Sequence, residues 1–333
     1  MVHERKRTIA CALLILFIII NVSALFVGCN QNLTNDEIKV YNGASVSFLD
    51  VGQGDCIFIR LPDGKNVLID TGDVDVYNKN CEYVLKYLRA YSVNVIDYLI
   101  ITHPDSDHVG NGARLVENVA VENAFVPYII EDLLPYYPYF QSTLNALEQR
   151  GANIMVSDYC QNVVGEDYAL LFLSPTQIDD ANGSYFHFNG MQIPDESASN
   201  NLSPIIYLDM FGTRFLFTGD AGKSQEQLVL NNYYANIYEQ TFLGLDVQIS
   251  LESIDYFKVG HHGADTSSGA EFLSVIAPKN AIISVGGNNF YGHPKTETLY
   301  RIYESNADCN VYRTDVHGTV TVHQVNSTFI VST

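Results

Sequence analysis

The sequence predicts an α/β fold, and three observations carry that expectation. Short β-type runs alternate with amphipathic helical patterns through the first half, the arrangement that builds sheets with helices on their faces. The same alternation restarts after residue 204. In both halves a hydrophobic strand repeatedly delivers a histidine or aspartate beside a glycine. A rigid strand aims the loop at its carboxyl end, and glycine lets that loop turn sharply, so such junctions are where α/β layers place their chemistry.

Residues 46–49, 56–60 and 66–69 read as three short strands, separated by the turns Asp50-Val51-Gly52-Gln53-Gly54-Asp55 and Leu61-Pro62-Asp63-Gly64-Lys65. The third strand empties into Asp70-Thr71-Gly72. Residues 81–91 then place Val84, Leu85, Leu88 and Tyr91 at helical spacing. A strand at 98–101 leads into Thr102-His103-Pro104-Asp105-Ser106-Asp107-His108, which offers four potential metal ligands, and a helix over 112–118 follows. Residues 128–140 are rich in tyrosine and proline, and 174–199 form a polar loop. Both read as insertions or lids over the same face, with packing favoured over substrate stacking for Tyr136, Tyr137 and Tyr139. In the second half, 204–210 and 214–218 form a hairpin around Phe211-Gly212-Thr213 and end in Gly219-Asp220. Residues 256–259 lead into Gly260-His261-His262-Gly263, and 281–285 into a glycine-bearing loop that reaches His293-Pro294.

The chain has 333 residues, enough for one large domain or two ordinary ones, and its 47% hydrophobic and 17% charged composition is that of a globular protein with a sizeable core. A formal net charge of -20 argues against a general nucleic-acid-binding surface, which needs Lys and Arg. It leaves room for an anion pocket neutralised by bound cations. The amino-terminal segment is a separate object. Glu4-Arg5-Lys6-Arg7 precede a run, 9–28, that is apolar apart from Asn21 and Ser23 and ends at Gly28-Cys29. It resembles a bacterial lipoprotein signal with Cys29 as the lipidated residue; an uncleaved membrane anchor is the other reading. Either way residues 1–29 are a signal or anchor, 30–42 a linker, and the remainder lies outside the cytoplasmic membrane by the positive-inside rule. Cys56, Cys81, Cys160 and Cys309 have no C-x-x-C spacing and are expected as buried single residues.

Five histidines, His103, His108, His261, His262 and His293, fall in the strand-end loops together with Asp70, Asp105, Asp107 and Asp220. Mixed imidazole and carboxylate sets suit Zn²⁺, Mn²⁺ or Fe. Two such ions a few ångströms apart, bridged by a carboxylate and a hydroxide, make a nucleophile at neutral pH and stabilise charge on a phosphoryl or acyl oxygen.

Eight stretches in order carry a specific resemblance. They are Phe48-Leu49-Asp50-Val51-Gly52-Gln53-Gly54-Asp55, Val67-Leu68-Ile69-Asp70-Thr71-Gly72, the segment from Thr102 to Gly110, Phe217-Thr218-Gly219-Asp220-Ala221, Lys258-Val259-Gly260-His261-His262-Gly263, Ile283-Ser284-Val285-Gly286, Tyr291-Gly292-His293-Pro294 and Tyr312-Arg313-Thr314-Asp315. Spread over about residues 46–323, they resemble the metallo-β-lactamase superfamily and, within it, the ComEC-type competence hydrolases. The resemblance implies a four-layer αββα sandwich over 43–333, two mixed β-sheets flanked by helices, holding two divalent metal ions, Zn or Mn. The family's metal motif falls on His103, Asp105, Asp107 and His108, with Asp105 where most members have a histidine. Asp70 matches the aspartate that orients the metal loop, and Asp220 the bridging carboxylate. The family's middle histidine has no counterpart; Ser199-Asn200-Asn201-Leu202-Ser203 occupies that part of the chain. Either His262 or His293 fills the last ligand position, with His293 favoured and His261 or His262 as proton donor or second ligand. Asp107, His261 and His262 are the catalytic candidates. Lys258 reads as a solvated residue flanking a strand, and His187, His317 and His323 as surface or packing residues.

The function implied is an extracytoplasmic hydrolase of phosphodiester bonds that uses a metal-bound hydroxide at a dinuclear site, tethered to the outer face of the bacterial cytoplasmic membrane by its amino-terminal lipid or anchor. DNA, a nucleotide or a cell-wall polymer is the substrate expected, and no protein partner is. The alternatives are an acyl-ring hydrolase of the lactonase or β-lactamase kind, or a non-catalytic, surface-displayed metal-binding protein.

Overall fold

Two β-sheets lie face to face in the computed structural model, which describes residues 38–75, 77–129, 131–175, 199–245 and 248–333. One contains β1 (Ser45–Phe48), β2 (Ile57–Arg60), β3 (Asn66–Ile69), β4 (Val95–Ile100), β5 (Ala120–Val126), β6 (Asn153–Val156), β14 (Val320–Val325) and β15 (Thr328–Ser332). The other contains β7 (Asn162–Val164), β8 (Tyr168–Phe172), β9 (Ile206–Met210), β10 (Thr213–Phe217), β11 (Tyr256–Lys258), β12 (Asn280–Ile283) and β13 (Asn310–Arg313). Their orders are β15-β14-β1-β2-β3-β4-β5-β6 and β13-β12-β11-β10-β9-β8-β7. Each sheet is antiparallel on one side and parallel on the other: the change comes at β3, paired antiparallel to β2 and parallel to β4, and at β10, paired antiparallel to β9 and parallel to β11. Val40–Thr333 is one compact unit.

The period-two alternation of the strands sorts their side chains between layers. Val46, Phe48, Ile57, Ile59, Val67 and Ile69 from the first sheet meet Leu170, Phe172, Ile206, Leu208, Phe215 and Phe217 from the second in one core between the sheets. The intervening residues face outward. Phe58 packs edge-on against Tyr87 and Tyr91 of helix Lys79–Ala90 and its C-cap, at 6.0 and 5.2 Å between ring centroids. Leu216 and Phe257 join Val229 and Leu230 of helix Lys223–Tyr234 and Phe272 and Leu273 of helix Ala270–Ile276. The result is the expected α/β sandwich of two mixed sheets with helices outside. Each such fully buried side chain contributes roughly 1.5–3 kcal/mol of transfer free energy.

The hairpin between β9 and β10 forms as its sequence requires: Phe211 and Gly212 have φ of 53° and 78°, the left-handed pair that matches strand twist in a two-residue turn. The stretch 128–140 is more regular than expected. It holds a 3₁₀ turn, Glu131–Tyr136, and the start of helix Pro138–Arg150. Proline is tolerated in the first helical turn because its missing N–H has no partner there, and Phe140, Ala146 and Leu147 then anchor the helix. Cys56, Cys81 and Cys309 are buried single residues, whereas Cys160 is exposed. Cys29 with the whole signal or anchor, His187 and most of the polar loop lie outside the described residues. Among the described residues no helix is long and apolar enough to cross a membrane.

Candidate metal centre

The ligand-bearing loops leave the carboxyl ends of β3 and β10, where each sheet changes from antiparallel to parallel pairing, and of their parallel neighbours β4 and β11. After β3 comes Asp70, in the left-handed region at φ 59°. Its Oδ1 accepts the Thr102 backbone N–H at 2.8 Å, and its Oδ2 accepts the Thr102 hydroxyl at 2.8 Å and lies 2.8 Å from His108 Nδ1. This buried carboxylate therefore pins both the start of the loop after β4 and one ring at its end. Burial raises the Asp70 pKa, although His108 opposes the shift.

The loop after β4 supplies buried His103, then Asp105, then the short helix Ser106–Val109 bearing Asp107 and His108. Asp220 follows β10, and its backbone N–H donates to Ser203 Oγ at 3.1 Å. After β11, His261 and His262 both adopt left-handed backbone, φ 47° and 52°. Asp107, His108, Asp220 and His262 converge, each offering a ligand atom within 4.8 Å of the others. His108 Nε2 lies 3.3 Å from Asp220 Oδ1 and 3.3 Å from His262 Nε2; His262 Nε2 lies 3.2 Å from Asp107 Oδ2.

The outer nitrogens of both rings are committed. His262 Nδ1 is 2.8 Å from the Ser284 carbonyl, which cannot donate, so that nitrogen carries the hydrogen. His108 Nδ1 faces Asp70 in the same way. In the neutral rings both Nε2 lone pairs therefore point at each other and at two carboxylates, an arrangement suited to a bound cation. The surroundings record the same demand. Burial favours neutral His108, but Asp220, Asp70 and Asp107 outweigh it and raise its pKa well above the ordinary histidine value. Burial opposes ionisation of Asp220, but the imidazoles of His108, His262 and His261 hold its pKa well below the usual carboxylate range. Asp220 Oδ1, though 3.3 Å from His108, makes no hydrogen bond of acceptable geometry, and the buried His103 Nε2 has no hydrogen-bond partner either. Orphaned buried acceptors among carboxylates and imidazoles fit a divalent metal site.

A second half adjoins the first. His103 Nε2 lies 3.6 Å from Asp105 Oδ2 and 4.0 Å from Asp220 Oδ2, an oxygen that also lies 3.6 Å from His262 Nε2, so Asp220 sits between the two groups. Asp105 Oδ2 accepts the Ser199 hydroxyl at 3.2 Å. Burial, with Asp107 beside it, pushes the Asp105 pKa up to about 7. Burial, reinforced by His108, lowers the His103 pKa well below its usual value, leaving a neutral ring. His261 stands at the edge, Nε2 3.6 Å from Asp220 Oδ2 and Nδ1 2.9 Å from the Thr266 hydroxyl. His293, the favoured last ligand in the sequence, is outside the converging set, its ring 5.6 Å from that of His261; His262 is inside it. Burial, with His261 and His262 nearby, lowers the His293 pKa to about 4. Asp105, Asp107, Asp220, His261, His262 and His293 floor a cleft of about 440 Å³.

One expectation is overturned. Lys258 is not solvated: it is fully buried, and its ammonium pairs with Asp55 Oδ2 at 2.6 Å. Every residue of β11 is buried, so the lysine points into the protein behind the histidines rather than into water. Asp55 went unassigned in the sequence, yet its oxygens lie 3.6 Å from His262 Nδ1 and 3.9 Å from His108 Nδ1. The signal was present in the sequence as an aspartate closing a glycine-rich turn, Gly52-Gln53-Gly54-Asp55. A Cβ on Gly54 would stand 2.2 Å from the Asp107 carbonyl oxygen, so only glycine lets that turn lie against the metal loop.

Comparison with known proteins gives a consistent picture. The family model described as Metallo-beta-lactamase superfamily matches residues 49–287. The chain is similar to ComE operon protein 3 of Bacillus subtilis (strain 168), 30% identical over 290 residues, covering 83% of this chain and 32% of that protein. It is similar to Recombination protein 2 of Haemophilus influenzae, 27% identical, covering 85% of this chain and 29% of that protein, and to Competence protein ComA of Neisseria gonorrhoeae, 25% identical, covering 83% and 32%. The chain thus spans about a third of the length of these relatives. Among solved structures, the metallo-beta-lactamase fold protein YhfI from Bacillus subtilis aligns with a TM-score of 0.46 at 9% identity, covering 84% of this chain and 99% of that one.

Proposed function

From the premise that the chain belongs to the metallo-beta-lactamase superfamily, we propose that it is a hydrolase of phosphodiester bonds working with two divalent ions, zinc or manganese. The observation that carries this reading is the pair of opposed Nε2 atoms of His108 and His262, 3.3 Å apart between Asp107 and Asp220. Those four residues would hold one ion; His103, Asp105 and the shared Asp220 would hold its neighbour. The second half has one imidazole and otherwise oxygen donors, which suits manganese better than a site of three imidazoles. When bound, the metals supply an activated water and neutralise charge on the phosphoryl oxygens.

The chain's own groups do the rest. Asp70 and the Ser284 carbonyl fix the His108 and His262 rings so that Nε2 faces inward, the support that sets ligand orientation and basicity. His261 lines the cleft beside Asp220, placed to return a proton to the leaving oxygen. No Lys or Arg is among the described residues lining the cleft, so the substrate's charge is met by metal ions rather than by side chains. The names of the relatives, competence and recombination proteins, favour DNA as the phosphodiester.

The test is turnover by the purified chain of a single-stranded oligodeoxynucleotide and of a bis-aryl phosphate, with Mn²⁺ or Zn²⁺. Metal bound with neither substrate cleaved would remove the phosphodiesterase reading. Metal content should fall in Asp107→Ala and Asp220→Ala; if both retain it, the ligand assignment is wrong. The basic cluster Glu4-Arg5-Lys6-Arg7 before the apolar run also supports an extracytoplasmic, membrane-tethered location through Cys29 or an anchor. Cell fractionation separates the two tethers, since only a lipid tether is lost in Cys29→Ala.

A further inference from the structure

The cleft over the metal centre has one wall to which hydrolysis assigns no task. Tyr136 ends the turn Glu131–Tyr136, Tyr139 lies in the first turn of helix Pro138–Arg150, and Tyr291 stands on the loop after β12; all three line the cleft. The sequence reads Tyr136 and Tyr139 as packing residues, but the helix anchors itself through Phe140, Ala146 and Leu147 further along. Tyr136 is 53% exposed, Tyr139 41% and Tyr291 60%. Tyr291 lies nearly parallel to the His293 ring, 5.6 Å between centroids and 22° between planes, and both rings line the cleft.

We propose that Tyr136, Tyr139 and Tyr291 form a subsite that stacks unpaired nucleobases, so that grip on a strand comes from aromatic faces rather than from Lys and Arg side chains. This rests on the phosphodiesterase reading above and names how its substrate is held. The charge pattern is the first support. The chain carries a net charge of -20, and no Lys or Arg is among the described lining residues, so the counterion release that usually drives nucleic-acid binding is missing. Lys295, near the mouth, has its ammonium on the Tyr291 carbonyl at 2.6 Å. Beyond the metal ions at the reacting phosphate, the rest of a strand held here needs another source of affinity, and base–aromatic stacking is the one that single-stranded nucleic acids offer. Size is the second support: about 440 Å³ is within the range of small-ligand sites and takes a nucleotide-sized unit, not a duplex. A duplex also hides its base faces in its own stack, so the tyrosines select strands whose bases are already unpaired.

The experiment reads binding apart from cleavage. Fluorescence anisotropy with the full chain in calcium compares an end-labelled oligothymidine with an abasic deoxyribose-phosphate strand of equal length, followed by a hydrolysis assay in manganese. The base-bearing strand is expected to bind at least about fivefold more tightly, the low end of one stacked base. Tyr136→Ala, Tyr139→Ala and Tyr291→Ala each lower that ratio and the triple variant brings it close to one, whereas Tyr291→Phe keeps it. Affinity for oligothymidine should change little between low and moderate salt. Equal affinity for the two strands, a ratio that survives in the triple variant, or a glycerol-phosphate polymer bound as tightly as oligothymidine overturns the subsite. A strand bound through the tyrosines but never cut supports the subsite and fails the hydrolase reading. A strand cut with no preference for bases does the reverse.

Discussion

The buried pair Lys258–Asp55 lends itself to a quantitative test, because it sits behind the two histidines at the heart of the site. Both side chains are essentially inaccessible and 2.6 Å apart. Lys258→Met leaves Asp55 as an unpaired charge in the interior, a change that costs about 3–5 kcal/mol. The imidazoles of His262 and His108, 3.6 and 3.9 Å from the Asp55 oxygens, take up part of that charge and place the cost at the lower end, about 3 kcal/mol. For a domain of this size about 2 °C is lost per kcal/mol, so the midpoint should fall by roughly 6 °C. Removing both charges is different. In Lys258→Met with Asp55→Asn no ion is stranded, and at least half of the lost stability should return. Thermal unfolding followed by circular dichroism, with chelator present to keep metal binding out of the measurement, supplies the four values of the cycle. Strictly additive single effects, or a Lys258→Met midpoint equal to wild type, would refute the coupling.

Two further changes probe other parts of the argument. In Gly54→Ala the new Cβ meets backbone, the Asp107 carbonyl 2.2 Å away, at a φ of 139°; the metal loop has to shift, and calorimetry should find metal affinity lowered by about 10–100-fold, the usual cost of disturbing a ligand's support. Unchanged affinity would mean the turn does not buttress the loop. Glu226 is buried and accepts the backbone N–H groups of Ser268 and Gly269, yet burial raises its pKa from 4.5 to about 7. An acid whose pKa is raised on folding stabilises the fold below its ordinary value and loses that contribution as pH rises towards the folded one. Relative to Glu226→Gln, the wild type should therefore lose roughly 3 kcal/mol between pH 4.5 and 7 in urea unfolding, and a difference independent of pH would contradict the assignment.

The fold was legible because strand-end chemistry and hydrophobic period agree along this chain. Residues 66–69 and 112–118 read in the sequence with the bounds they have in the structure, and the Phe211-Gly212 turn gave its hairpin. The loop carrying His103, Asp105, Asp107 and His108 was legible for the same reason: a run of ligands has no packing explanation. What sequence order does not encode is distance between loops. His262 and His293 both follow Asp220 and both flank glycine, and only the third dimension places the first against His108 and the second against His261 and Tyr291. Lys258 failed for a related reason. A lysine at a strand end is usually solvated, and its burial here depends on a carboxylate some two hundred positions away in the chain. The place of Tyr136 and Tyr139 at the cleft was not legible, because a proline-rich stretch gave no sign of the turn and helix that set them there.

The strained residues show what that three-dimensional placement is for. Asp70, His261 and His262 hold φ of 59°, 47° and 52°, where glycine is the comfortable choice and other residues lose roughly 1–3 kcal/mol each. Elsewhere among the described residues the same conformation falls on Asn78, Asn236, Asn288 and Asn326, which tolerate it, and also on Phe211, Ala277 and three serines. Glycine at the three site positions would relieve strain and remove a carboxylate and two imidazoles. The chain keeps the side chains and sets glycine alongside instead, at Gly72, Gly260 and Gly263. At Gly263 a Cβ would stand 2.5 Å from Pro294, so that glycine lets the loop of His293 close against the loop of His262. Left-handed backbone at three residues of one candidate site is consistent with preorganisation: the side chains of Asp70, His261 and His262 are aimed by the fold itself, and the Nε2 atoms of His108 and His262 face each other across 3.3 Å.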